Sequence, residues 1–238
     1  MRNTLVIAWK ETRTYFTTPM AYIVALVFLA LTGYFFVADI LGTSLPEASI
    51  RGFLTPITFI MVLLAPVLTM RLLAEEQKLG TLELLLTSPV RDWEIIVGKF
   101  LSSFIFYLVA LALTLYYVLL LYWFGKPDSG PILAGYLGMI LYGAATLSVG
   151  LLASSFSGNQ IVGAVVGFGV LLILTVIDQA STLVSGTAAT VVEQVSITFH
   201  FDDFTRGVID LQSVIYYISV TALFLFLAVR SLESRRWR

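Results

Sequence analysis

Five runs of this 238-residue chain contain no aspartate, glutamate, lysine or arginine for 19 residues or more. Thr14 to Ala38 gives 25 such residues, Gly52 to Met70 gives 19, Phe100 to Gly125 gives 26 and Leu211 to Val229 gives 19. A hydrocarbon core about 30 Å thick needs about 20 residues of helix at 1.5 Å rise. Each of these four runs therefore accounts for one crossing. The fifth, Ser129 to Ile177, is 49 residues and too long for one. The polar stretch from Ser154 to Gln160 divides it into two spans joined by a tight turn. The expected spans are 20–38, 53–71, 100–124, 131–153, 160–177 and 211–230, in a single transmembrane domain over 1–238. Their apolar residues are continuous rather than alternating, so they read as helices and not barrel strands. The fold class expected is an all-α integral membrane protein with six transmembrane helices.

Composition agrees. Apolar residues make up 58% and charged residues 12% of the chain, and its mean hydropathy is +0.93. A soluble domain is about half apolar and about a quarter charged. The chain has no cysteine and one histidine, His200, which excludes disulfides, thiolate chemistry and a multi-histidine metal site.

Six spans put both termini on one side. If that side is the cytoplasm, eleven of the 14 basic residues lie inside, and Arg51, Lys126 and Arg206 lie outside. Seven of the 15 acids lie inside, leaving +4 within and −5 without. This positive-inside bias predicts cytoplasmic termini. It also gives Arg235, Arg236 and Arg238 a role at the lipid headgroups rather than on nucleic acid.

Residues 1–19 read as an interfacial elbow helix. Leu5, Trp9, Thr12 and Phe16 recur on one face, Lys10, Glu11 and Arg13 lie off it, and Pro19 ends it. The charges also interrupt any early apolar core, so no cleavable signal peptide is expected.

The loop 72–99 carries leucines at helical spacing, Leu79, Leu82 and Leu86, followed by the stop Ser88-Pro89. Asp92 is positioned to cap the helix that follows. The leucines lie against the bilayer, the chain's own helix ends or another protein's groove.

Taken together, Glu75-Glu76, Gly80-Thr81-Leu82-Glu83-Leu84-Leu85-Leu86, Ser88-Pro89 and Gly98-Lys99 resemble the cytoplasmic loop of type-2 ATP-binding cassette exporter permeases. Glu11 and Pro19-Met20-Ala21-Tyr22 resemble that family's elbow. His200-Phe201, Phe204, Arg206 to Asp210 and the ending Leu232 to Arg238 are similar to gliding-motility (GldF-like) permeases. The resemblance implies a bacterial inner-membrane subunit that works with a second permease chain and separate cassette ATPases. ATP and magnesium would sit in those partners, with no cofactor in this chain. It implies that Glu75, Glu76, Gly80, Thr81, Leu82, Glu83, Leu86 and Pro89 form the coupling segment that meets the ATPase, with Trp9, Lys10, Glu11 and Arg13 beside it on the elbow. The chain has no Gly-x-x-x-x-Gly-Lys-Ser/Thr loop, so its energy must come from another polypeptide.

The outer segment 178–210 contains a 14-residue uncharged stretch, Gln179 to Val192, too short to span and expected as a re-entrant or interfacial hairpin. His200, Asp202, Asp203, Arg206 and Asp210 then group on the outer surface. They read as a docking surface for an extracytoplasmic partner, or as a solvated helix in which Asp203 or Asp202 pairs with Arg206. A metal site there is the weaker alternative. Gly163 and Gly167 permit close helix approach, either within the chain or at a permease dimer interface.

Other functions fit less well. Self-contained channels and secondary transporters place ionisable groups at mid-membrane, and these spans have none. An intramembrane enzyme needs an acid, a base and a nucleophile in one place. A membrane scaffold for an extracytoplasmic complex stays compatible with a transport role.

Overall fold

The computed structural model describes residues 2–42, 51–81, 90–125, 127–179 and 187–236. Among them the regular structure is helical and contains no strand. Helix α1 is Arg2–Thr17, α2 Pro19–Gly42, α3 Arg51–Leu79, α4 Asp92–Leu113 and α5 Leu115–Phe124. Helices α6 (Ser129–Phe156), α7 (Gln160–Val176) and α8 (Thr187–Val195) follow. A 3-10 turn Phe199–Phe201, the short α9 (Asp202–Thr205) and α10 (Leu211–Arg236) complete the chain. Among the described residues, six segments are long and apolar enough to cross a membrane: Pro19–Ile40, Gly52–Leu79, Asp92–Phe124, Ser129–Phe156, Gln160–Gln179 and Leu211–Ser234.

Two of the helices run past the charge-free windows. Helix α3 continues through Arg71, Glu75, Glu76 and Lys78 because these are good helix formers, and it stops where Gly80 adopts φ 69°. That left-handed residue is the usual helix terminator. The expected loop helix around Glu75–Leu86 is therefore corrected at its start: Glu75 and Glu76 belong to the last turns of a transmembrane helix. Helix α4 begins at Asp92, eight residues before the expected span, and its cap is not Asp92. The Glu94 carboxylate accepts the Arg91 backbone N–H at 3.1 Å instead. At the polar turn, Asn159 caps α7 by accepting from the Ile161 N–H at 3.0 Å.

Helices α3 and α6 form the centre and pack along each other. In α3 and α6, 72% and 67% of the most apolar window is buried, against 22% in α2 and 17% in α7 and α10. The peripheral helices leave Leu26, Ile161, Val165, Ile173 and Ile218 outward, the surface a bilayer would cover. The Ser154 hydroxyl joins the two central helices. It accepts from Leu73 and Ala74 N–H at 3.2 Å and donates to the Met70 carbonyl at 2.9 Å.

Candidate functional site

The elbow helix α1 runs along the first four turns of α4 in the same direction. Asn3 donates to Glu94, Ile7 lies on Gly98, Glu11 reaches Lys99 and Tyr15 stacks on Phe106. Its buried stripe is Thr4, Ala8, Thr12 and Tyr15, while Leu5, Trp9 and Phe16 face outward. Of the expected apolar face, Leu5, Trp9 and Phe16 are outward and Thr12 is inward. The reason is steric: small and hydroxyl side chains let α1 come close to α4. At Gly98 a Cβ would stand 2.8 Å from the Ile7 side chain and 3.0 Å from the Thr4 carbonyl oxygen.

That close approach encloses Lys99. Its side chain is 1% exposed, and its Nζ lies 2.8 Å from Glu76 Oε1 and 3.3 Å from Glu11 Oε1. One ammonium thus holds three elements: the elbow, the end of α3 and the start of α4. Two largely buried carboxylates compensate it. Such a cluster gains little net stability over an apolar replacement, because desolvation offsets the attraction. Removing one partner alone is costly, since the others are left buried and uncompensated.

Tyr15 braces the cluster. Its hydroxyl donates to the Leu68 carbonyl at 2.6 Å, and its ring stacks on Phe106 with centroids 5.3 Å apart. The Arg71 guanidinium also lies over that ring, 5.0 Å from the centroid. Burial pushes the Tyr15 phenol up, more than the nearby Arg71 pulls it down. Between α1, α3 and α4 opens a cavity of about 630 Å³, lined by Lys10, Glu11, Tyr15, Arg71, Glu75, Glu76 and Lys99 among others.

Of the expected coupling residues, Glu75 is exposed beside this cavity, and Glu76 turns inward to Lys99 rather than outward to a partner. Gly80 ends α3 and Thr81 lines the cavity mouth. Leu82, Glu83, Leu86 and Pro89 lie outside the described residues. On the elbow, Trp9 is 73% exposed, Lys10 and Arg13 are exposed, and Glu11 is the one residue turned in. Gly163 and Gly167 are buried inside the chain: Gly163 meets the Ser154 backbone, and Gly167 meets Ala153 and Pro66. Of the two expected readings, the contacts seen are those within the chain, to α6 and α3.

The outer residues separate as well. His200 is 3% exposed. Its Nδ1 lies 3.0 Å from the Ser196 carbonyl oxygen, and its ring stacks on Tyr216 at 3.8 Å. A side chain so enclosed offers nothing to a docking partner, so its grouping with the surface acids is corrected. Among the described residues Arg206 forms no ion pair with Asp202 or Asp203. Asp203 instead accepts from Ser213 at 3.5 Å, and Asp210 accepts the Gln212 N–H at 3.1 Å, capping α10. Asp202 and Arg206 remain exposed. Residues 180–186, most of the expected hairpin's first half, lie outside the described residues. After α8 the chain turns back into the bundle. The Ile197 N–H donates to the Leu174 carbonyl at 3.0 Å, and Phe201 and Phe204 are buried against α6.

Residues 34–229 match the profile described as ABC-2 family transporter protein. The chain belongs to this family. The match includes Arg71, Glu76 and Lys99 and starts after the elbow, so Glu11 meets Lys99 from outside the matched region. The probable multidrug ABC transporter permease YbhR of Escherichia coli (strain K12) is 28% identical over 117 residues, which are 48% of this chain and 31% of that protein. The probable multidrug ABC transporter permease YbhS of the same strain is 30% identical over 117 residues, 48% of this chain and 30% of its own length. The chain thus aligns with less than a third of the length of these curated relatives.

The buried role of Lys99 and the brace of Tyr15 on Arg71 are the features that sequence reasoning did not find. The one available signal was the Gly98-Lys99 pair, where a glycine marks a backbone approached closely enough to enclose its neighbour.

Proposed function

We propose that this chain is the membrane-spanning permease subunit of an ATP-binding cassette exporter of the bacterial inner membrane. A separate cassette ATPase, carrying ATP and magnesium, docks on the face that bears both termini. A second permease chain completes the pathway. Family membership supports the transport class, and the positive-inside charge bias supports a cytoplasmic docking face. The observation that carries the mechanism is the Lys99 cluster. It lies where the segment after Gly80 leaves α3, and it locks that end of α3 to the elbow and to α4. A push delivered to the segment 81–89 by a closing ATPase is then passed to three helices at once. Helix α3 is the central one, so its tilt moves the whole bundle. The relatives' description as probable multidrug permeases makes an apolar or amphipathic cargo the natural class, and the uncharged spans agree.

The test is purification of the chain with its partners from its own host. The expected result is a stoichiometric cassette ATPase whose hydrolysis stops when that partner's Walker lysine is replaced. Leu82→Asp should leave the complex hydrolysing ATP without export. A chain that purifies alone across several mild detergents would contradict the proposal.

A further inference from the structure

The cavity beneath the elbow has charges that the Lys99 cluster does not use. Arg71 and Glu75 stand four residues apart on α3, a spacing that allows opposite charges to pair. Among the described residues, neither forms an ion pair with the other or with any third residue. The Arg71 guanidinium is held over the Tyr15 ring and bonds that side chain, and of its five N–H donors others are left to give. Glu75 is exposed at the same cavity. Beside it, Glu76 spends one oxygen on Lys99, and its other oxygen is a buried acceptor without a hydrogen-bond partner. The cavity holds about 630 Å³, within the range of about 300–1,000 Å³ typical of small-molecule sites. Tyr15, Leu72 and Leu79 add apolar walls. A second groove shares Lys10 and Thr14 with the cavity, and Leu5, Val6 and Trp9 give it apolar walls along the elbow.

We infer that this cavity binds the headgroup of a zwitterionic phospholipid with a primary ammonium, a phosphatidylethanolamine of the leaflet on the side of the termini. Arg71 takes the phosphate, with Lys10 at the rim adding charge. Glu75 accepts from the ammonium, which has three N–H donors. The acyl chains leave along the apolar outer face of α1. A choline headgroup has no N–H to give Glu75, and a glycerol headgroup has no cation. The lipid wedges between elbow and α3, the two elements that the Lys99 cluster ties together.

The experiment uses the full chain in nanodiscs containing equal parts phosphatidylethanolamine, phosphatidylcholine and phosphatidylglycerol, with retained lipid counted by native mass spectrometry. The expected result is phosphatidylethanolamine retained about tenfold over either of the others, as one charge-assisted hydrogen bond would give. Glu75→Gln, at an exposed position and with an unchanged melting temperature, should bring it down to the phosphatidylcholine level. Arg71→Gln should weaken all three lipids alike. Free phosphoethanolamine added to the wild type should not displace the lipid. Equal retention of the three lipids, a preference unmoved by Glu75→Gln, or displacement by free phosphoethanolamine would each overturn the assignment.

Discussion

The two ends of the bundle bury polar groups by different means. At the end carrying the termini, charge is enclosed: Lys99 sits between Glu11 and Glu76, with Arg71 on the Tyr15 ring close by. At the opposite end the enclosed groups are aromatic and neutral. Tyr142 packs edge against face with Phe201 and Tyr217, and Phe204 lies tilted on Tyr217, with centroids 5.7 to 6.2 Å apart. The Tyr217 hydroxyl donates to the Ile197 carbonyl, and the Tyr216 hydroxyl to the Val195 carbonyl, each at 2.7 Å. An aromatic plug resists deformation because its contacts are many and short-ranged. A charge cluster holds through a few strong contacts, and its members can exchange partners. The first suits a fixed seal. The second suits a joint that must pass on movement.

Substitutions at the aromatic end should cost the most stability. Phe204→Ala removes a fully buried ring facing Gly138 and should cost about 4 kcal/mol, read from thermal unfolding in detergent. Lys99→Ala should cost about 3 kcal/mol, because Glu11 and Glu76 lose their counter-charge. The triple change Lys99→Met, Glu11→Gln, Glu76→Gln should recover most of that loss. No conservative change should rescue Phe204→Ala in that way, and this is the sharpest distinction between the ends. Tyr217→Phe should cost about 1–2 kcal/mol by leaving the Ile197 carbonyl unpaired in the interior. Glu233→Gln breaks the exposed pair with Arg230 and should change the melting point by less than the equivalent of about 0.5 kcal/mol. A larger effect there would show that surface charge contributes more than the buried cluster comparison assumes.

The spans were legible in the sequence because an uncharged run long enough to cross a bilayer has few alternatives. Their ends were less so. A count that stops at the first charge places the end of α3 near Arg71, whereas the helix runs on to Leu79. The burial of Lys99 was not legible, since its partners are 88 and 23 residues away in sequence and only the packed fold brings them together. The elbow's apolar face was legible, and Leu5, Trp9 and Phe16 are outward. Its protein-facing stripe of Thr4, Ala8, Thr12 and Tyr15 was not, because small and hydroxyl side chains carry no apolar periodicity. Gly163 and Gly167 marked a close helix approach correctly, and the sequence had no means of saying which helix approaches. At the end opposite the termini, His200 and the nearby acids read as one cluster because they are close in sequence. A 3-10 turn sends the histidine inward and leaves Asp202 outside.

The claim that the Lys99 cluster transmits motion from an ATPase partner is tested most directly by coupling rather than by stability. The measurement is cargo exported per ATP hydrolysed by the purified complex in nanodiscs, compared between wild type and the triple change Lys99→Met, Glu11→Gln, Glu76→Gln. The account predicts an intact, stable complex that still hydrolyses ATP but has lost at least about tenfold in export per ATP, a coupling free energy of about 1.4 kcal/mol. A triple variant that exports as efficiently as wild type would contradict it, and would leave the cluster with a structural role alone.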